Sequence, residues 1–487
     1  MILTPMILTR TIDLDLPLWR VTPRLGRGNV FLLDSALDPQ RLGRWSFAGC
    51  HPPALLTAKR RHGAETGAAG RPFLITLTTW RHPDGELPDT PQVETWTGDP
   101  FVALRSLQVA YDVEGHEGDD PAGPFSGGLV GWFGYELAHA LENLPDTGRD
   151  DLDLPDLAFM VVDEVLAHDH VTGDTTLSIT DRGDAAERFA WWQTRLATPD
   201  PGPVPAPEPG QLMVGTSCDR ETYGALVTDC VEHILAGDVF EVCLTHRLET
   251  ALRGEPWRLY EILRQINPAP FAVWLDLPGC QVVSASPERF LSLTADGQAE
   301  SRPIKGTAPR GANLADDAQR AADLAASAKD RAENVMIVDL VRNDLGRACE
   351  VGSVTVPEIC TVESYATVHQ LVSTVRGQLR PDRDALDLVA ACFPGGSMTG
   401  APKIAAIALA DRLEPFKRGI YSGAVGYLDR GGAMDLSIVI RSIVCADGRA
   451  TLGVGGAVTA DSDPGAEYDE SLDKARALLD ALARLEN

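Results

Sequence analysis

Lys305 stands in Ser301-Arg-Pro-Ile-Lys-Gly-Thr307, between a proline-fixed extended stretch and a glycine turn. An amine held rigidly toward a cleft in this way could act as a nucleophile. Carboxylates at helical spacing form a second group. Asp330, Glu333 and Asp344 fall in one long helical segment, and Glu467 and Glu470 stand three apart near the start of the last one, with Lys474 a turn later. Glutamates from two helices, turned into one cleft, would make an oxygen-rich site for Mg²⁺, an ion that keeps waters and bridges to anionic groups of its substrate.

Two glycine-rich segments imitate nucleotide motifs. In Gly395-Gly-Ser-Met-Thr-Gly-Ala-Pro-Lys403 the residue after the second motif glycine is Ala401, where a phosphate loop requires lysine, so ATP binding is not supported. Pro402 suits the first turn of a helix through Ile404 to Leu409, which would leave the amides of Ser397 to Gly400 facing a carboxylate or phosphate. Gly453-Val-Gly-Gly-Ala457 follows the β-like run Ala450-Thr-Leu452 and continues as strand, unlike a dinucleotide fingerprint. Small residues there would let a ligand or a neighbouring strand come close to the backbone.

The elements that must position these groups mix both periods. Glu221 to Ala236 and Ala315 to Leu345 repeat apolar residues at helical spacing, and Val335, Met336, Ile337 and Val338 mark the second helix as buried. Val30–Leu33, Phe73–Thr78, Phe159–Val162, Gln281–Ser284, Ala424–Leu428 and Leu436–Val444 read as strands. Strands follow one another without regular crossover helices, which predicts antiparallel α+β. Thr198 to Gly210, TPDPGPVPAPEPG, forbids helix and marks a linker or surface connection between residues 1–197 and 211–487.

Composition narrows the partners. The chain of 487 residues is 44% hydrophobic and carries a formal charge of −27, which argues against nucleic acid and anionic membrane. A site for an anionic substrate must then be locally basic or metal-bridged. Nine cysteines lie singly, without metal-ligand spacing, as in a reduced cytosolic protein. No stretch approaches the roughly 20 apolar residues of a membrane span, and the expected location is the cytoplasm.

Taken in order, Ser284-Ala-Ser-Pro-Glu-Arg-Phe290, Arg302-Pro-Ile-Lys-Gly-Thr307, Glu333 to Asp344, Phe393 to Lys403, Tyr421-Ser-Gly-Ala-Val-Gly426, Ile438-Val-Ile-Arg441 and Ala460-Asp-Ser-Asp-Pro464 resemble the chorismate-utilising enzymes. In the first half, Leu32-Leu-Asp-Ser35, Arg44 to Gly49 and Pro124 to Gly131 resemble the first region of the members that aminate chorismate. The resemblance implies an α+β fold of the anthranilate synthase component I kind, with large antiparallel sheets packed as a sandwich and helices outside. Water-adding members carry a lysine base in a KVxLSR strand, where this chain has Glu241-Val-Cys-Leu-Thr-His-Arg247. Anthranilate-forming members usually have alanine at the place of Lys305, whereas those that aminate carbon 4 have Pro-Ile-Lys-Gly-Thr.

The resemblance therefore implies conversion of chorismate and ammonia to 4-amino-4-deoxychorismate, for 4-aminobenzoate and folate synthesis. Anthranilate formation and a non-catalytic scaffold holding an aromatic ligand near Leu33-Asp-Ser35 are the alternatives. Lys305 would be the covalent nucleophile, its pKa depressed by the site. Glu288 would be the general acid and His369 a polar residue beside the ring. Gly306, Thr307, Thr399, Tyr421, Arg441, Gly455, Gly456 and Lys474 would hold the substrate. Glu333 and Glu470 would carry Mg²⁺, with Glu467 and Asp330 behind them. Relatives commonly show Gln-Val-Asn in place of Glu241-Val-Cys243 and a third glycine in place of Ala457. None of the cysteines sits in a glutaminase elbow, so a separate glutamine amidotransferase is the expected source of ammonia.

Overall fold

A computed structural model describes residues 5–37, 41–61, 72–81, 90–113, 115–121, 123–200, 202–365 and 368–486. The β-branched and aromatic runs form strands, and several, such as Gly128–Phe133 and Leu157–Val162, are buried along their whole length. Continuous rather than alternating burial means that both faces are covered. Two large sheets account for this. Among the described residues one has 13 strands and the other 12, and the named pairings are antiparallel except Met6–Thr11 with His116–Gly118.

The sheets pack face to face. Phe31, Phe47, Leu275 and Val282 of the first meet Val130, Trp132, Met160 and Val425 of the second in a shared apolar layer. Helices Pro256–Ile266 and Pro464–Leu485 cover the outer face of the first sheet, and Pro100–Ala110, Ala328–Ala348 and Ala385–Cys392 that of the second. The expected α+β sandwich with outside helices is what the chain forms. All nine cysteines are free and buried, and no described helix is long and apolar enough to cross a membrane.

Each sheet joins a block of strands from before the proline-rich stretch to a block from after it at one seam: Leu33 lies opposite Val273 in the first sheet, and Trp132 opposite Val425 in the second. The stretch thus connects two halves of one sandwich. Its prolines lack N–H groups, but their carbonyls stay available. Arg258 donates to Val204 and Pro205, Arg484 donates to Pro207, and Gly210 N–H donates to the Ala483 carbonyl, so residues 202–210 lie as a strap across two outer helices.

Three local expectations change. The helical segment expected over Ala315 to Leu345 is two helices, Leu314–Ala326 and Ala328–Ala348, because Ser327 leaves helical geometry and its hydroxyl caps the Asp330 N–H. Only one face of the second is buried, with Ile337 and Val338 inside and Val335 at 45% exposure. The run Leu436 to Val444 divides into Met434–Ile438 in one sheet and Ser442–Ala446 in the other, with Arg441 at φ 52° in the crossover. The phosphate-loop mimic does not present amides from a helix N-terminus. Gly400–Ala401 pairs with Glu241 and Val242, Pro402 precedes the helix Lys403–Leu413, and Lys403 Nζ is pinned to Asp344 at 2.6 Å and the Cys392 carbonyl at 2.7 Å. Gly400 has φ 130°, and a Cβ there would meet the Glu241 carbonyl oxygen at 2.1 Å.

Candidate active site

Lys305 lies in the strand Ile304–Pro309 at the end of the second sheet. The pairing with Val368–Gln378 slips between Ile304 and Thr307, so a bulge falls on Lys305 and Gly306. Gly306 has φ 83°, and a Cβ there would sit 2.8 Å from the Asp330 carboxyl carbon. An extra residue in one strand bends the edge and re-aims a side chain, which here sends the lysine toward the first sheet. There its Nζ meets Glu241 Oε1 at 2.8 Å, joining the ends of the two sheets by a buried ion pair.

Burial alone would push the lysine pKa down, but Glu241, and behind it Glu333 and Cys243, together push it above its ordinary value. The depressed lysine expected from sequence is therefore corrected: the resting site holds an ammonium. The largest cause opposing burial is the ion pair with Glu241.

Glu288 follows the strand Cys280–Ser286 and is buried. Burial raises its pKa from 4.5 to about 7, against opposing hydrogen bonds from Ser397 and the Ile304 N–H and the charge of Lys305. A carboxyl that stays protonated near neutrality, close to an amine, is suited to act as a general acid. Its raised folded pKa means that it contributes stability fully below about pH 4.5, and that this contribution disappears as pH rises through about 7. Glu288→Gln is expected to flatten that dependence in urea titrations at pH 5 and 8. In a wild-type assay, turnover is expected to fall about tenfold per pH unit above pH 7; a rate that stays flat to pH 9 excludes Glu288 as the acid.

The remaining carboxylates face several cations. Glu333 has its pKa raised by burial, opposed by Lys305 and Lys329, and Lys329 Nζ lies 3.9 Å from it. Glu470 sits 2.8 Å from Lys474, and the charges of Lys474, Lys329 and Lys305 overcome burial to lower its pKa. Glu467 keeps a raised pKa through burial, despite a bond from Ser462, with the charge of Glu470 adding to it. The three share Lys329 as an electrostatic neighbour, so the two helices do bring their acids to one region. The donor set is all oxygen. A Cβ on Gly456 would meet Glu467 at 2.9 Å and Glu470 at 3.8 Å, so glycine keeps this region free. These donors are of the type a hard divalent cation takes, but the three acids do not bring their oxygens within 4.8 Å of one another, so an ion would draw them closer.

The glycines of the 453–456 run serve different neighbours. Gly453 makes room for the Tyr421 ring, Gly455 for the paired strand at Leu244, and Gly456 alone faces the acids. Lys474 Nζ donates to the Gly455 carbonyl at 2.9 Å. Arg441, held in a left-handed backbone conformation, donates to the Lys474 carbonyl; burial lowers its pKa against the charges of Tyr421 and Glu470. Thus Lys305, Glu288, Glu333, Glu470, Glu467, Asp330, Gly306, Gly456, Lys474, Tyr421 and Arg441 converge.

Three expected residues stand apart. Thr307 is exposed on the outer strand. Thr399 is buried and structural, its hydroxyl on the Gly395 and Gly396 carbonyls and its own carbonyl accepting from the Cys243 N–H. His369 is buried with Nδ1 on Ser364 at 2.7 Å and Nε2 on Asp317 at 3.1 Å, so both ring nitrogens are engaged away from Lys305.

The sequence reading missed the pair beneath Tyr421: Arg418 bonds Glu414 twice, at 2.7 and 2.8 Å, and also the Met398 and Cys243 carbonyls. Spacing of four within Glu414-Pro-Phe-Lys-Arg418 was its only signal. Separately, Leu33, Asp34 and Ser35 line a cavity of about 690 Å³ between the sheets, where Asp34 is bonded to Ser46, Tyr260 and Arg264.

Residues 79–480 match the family of chorismate binding enzymes. An aminodeoxychorismate synthase of Streptomyces pristinaespiralis is 50% identical over 372 residues, covering 74% of this chain and 51% of that protein, so the chain spans about half the length of that relative. Aminodeoxychorismate synthase component 1 of Escherichia coli is 38% identical over 411 residues, covering 84% of this chain and 88% of that one. The crystal structure of anthranilate synthase component I from Streptococcus pneumoniae superposes with a TM-score of 0.72 at 28% identity, covering 90% of this chain and 92% of that chain.

Proposed function

The chain belongs to the family of chorismate binding enzymes, and from that premise we propose that it converts chorismate and ammonia to 4-amino-4-deoxychorismate, as an aminodeoxychorismate synthase component I. The observation that carries this reading is the amine of Lys305, turned by a bulge toward Glu241 and within electrostatic reach of Glu288 and Glu333. Similarity to relatives named for this activity supports it.

In the proposed mechanism Arg441 and Lys474 hold the two substrate carboxylates, the former with a planar fork that a lysine lacks. Lys305 passes its surplus proton to Glu241, and its freed lone pair bonds to the ring carbon beside the ring carboxylate. The C4–O bond breaks as Glu288 delivers a proton, and water leaves. Ammonia then attacks C4, and the lysine–carbon bond breaks to return the amine. Glu333 and Glu470 would hold Mg²⁺, which when bound neutralises the ring carboxylate and the charge that develops on displacement. Ammonia would come from a glutamine amidotransferase partner, and free ammonium would replace it in vitro.

The test supplies chorismate, Mg²⁺, ammonium and a lyase that releases 4-aminobenzoate. Formation of 4-aminobenzoate is the expected result. Anthranilate as the product would instead assign amination at the neighbouring carbon and overturn the proposal.

A further inference from the structure

Glu241 is fully buried, yet only one of its carboxylate oxygens is used. Oε1 takes Lys305 at 2.8 Å, while Oε2 has no hydrogen-bond partner. A buried carboxylate oxygen without a donor costs free energy in a site otherwise well satisfied, and such a vacancy marks a place for a ligand that donates. The strand fixes where it points. Backbone pairing of Glu241 with Ala401 and of Val242 with Val458 holds residue 241 on the side of Cys243, whose thiol also senses the charge of Lys305.

We propose that Glu241 Oε2 is the binding site for the incoming ammonia, taken as ammonium. This rests on the amination reading and names the residue that receives the second substrate. The chemistry follows from the free oxygen and the proton balance. At rest the Glu241 carboxylate is neutralised by the Lys305 ammonium. Once Lys305 has bonded to the ring as a secondary ammonium, the proton it gave to Glu241 passes on to Glu288 and replaces the one spent on the leaving hydroxyl, so that Glu241 is again a carboxylate with Oε2 free. An ammonium donating to Oε2 passes a proton to Glu241 as the nitrogen lone pair forms the C4–N bond. The Lys305–carbon bond breaks in the same displacement, and the released amine takes that proton back. No oxidant or further reactant is needed. Other groups facing Lys305 are Cys243 on the same strand, Glu333 on the helix Ala328–Ala348, Glu288 and Glu470; of these acids, Glu241 is the one in direct contact with the amine.

Two measurements test the site. Ammonium titrations at saturating chorismate and constant ionic strength are expected to show KM for ammonium about tenfold or more higher in Glu241→Gln, the size of one charge-assisted bond, with a much smaller change for chorismate. An unchanged ammonium KM overturns the proposal. The second measurement needs no turnover. Lys305→Met leaves Glu241 without its cation, so ammonium chloride should raise the melting temperature of this variant above that in tetramethylammonium chloride, and the difference should vanish in Lys305→Met/Glu241→Gln. Equal stability in both salts overturns it. If the wild-type protein aminates nothing, the proposed reaction falls, whereas the salt-specific stabilisation still decides whether Glu241 binds ammonium.

Discussion

Lys305→Ala is expected to abolish the aminated product, by roughly 10³-fold or more, since no other described residue supplies a primary amine at that point and a positioned nucleophile contributes on that scale. The same change is expected to destabilise the fold. It leaves the Glu241 carboxylate, at 0% side-chain exposure, without its partner, and removing one member of a buried ion pair costs about 3–5 kcal/mol. The double variant Glu241→Gln/Lys305→Met separates the two effects: urea midpoints should return most of the way to wild type while product formation stays absent. Substantial turnover in Lys305→Ala would leave the amine without a chemical role.

The second large effect is expected at Arg418, whose side chain is 3% exposed. Its guanidinium spends donors on Glu414 and on the Met398 and Cys243 carbonyls, tying the loop before the helix Lys403–Leu413 to the strand that carries Glu241. Glu414 in turn accepts from the Thr245 N–H and hydroxyl. Arg418→Met strands this carboxylate and is expected to cost about 3–5 kcal/mol, a large part of the roughly 5–15 kcal/mol that holds a typical domain together. Denaturant unfolding measures it. A loss below about 1 kcal/mol would show that the pair is relaxed by water, and the cross-brace between loop and strand would then not be structural. Glu414→Gln/Arg418→Met should recover part of the loss, because no bare charge then remains.

Both effects arise where the chain closes on itself, which is also where sequence reading fails. Arg418 and Glu414 were readable only as a four-residue spacing, since nothing local says that a fork of donors will find two carbonyls far away in sequence. The helix break at Ser327 was missed because apolar periodicity runs through it, while a single hydroxyl ends one helix and caps the next. The strand Leu436 to Val444 was read as continuous because its residues are β-branched throughout, and the change of sheet at Arg441 leaves that composition untouched. His369, Thr307 and Thr399 came from resemblance, and in this structure their hydrogen bonds or exposure direct them elsewhere.

Residue types and period were enough by themselves for an antiparallel α+β chain, because side-chain chemistry and backbone period are local properties, and motif order was enough for the family and, through the resemblance, for the sandwich of sheets. The ionisation of the Lys305 amine was decided only in three dimensions. Glu241 and Lys305 are 64 positions apart, and whether the lysine is neutral or charged depends on a Coulomb interaction that a bulge in one sheet and the edge of the other bring to hydrogen-bond distance.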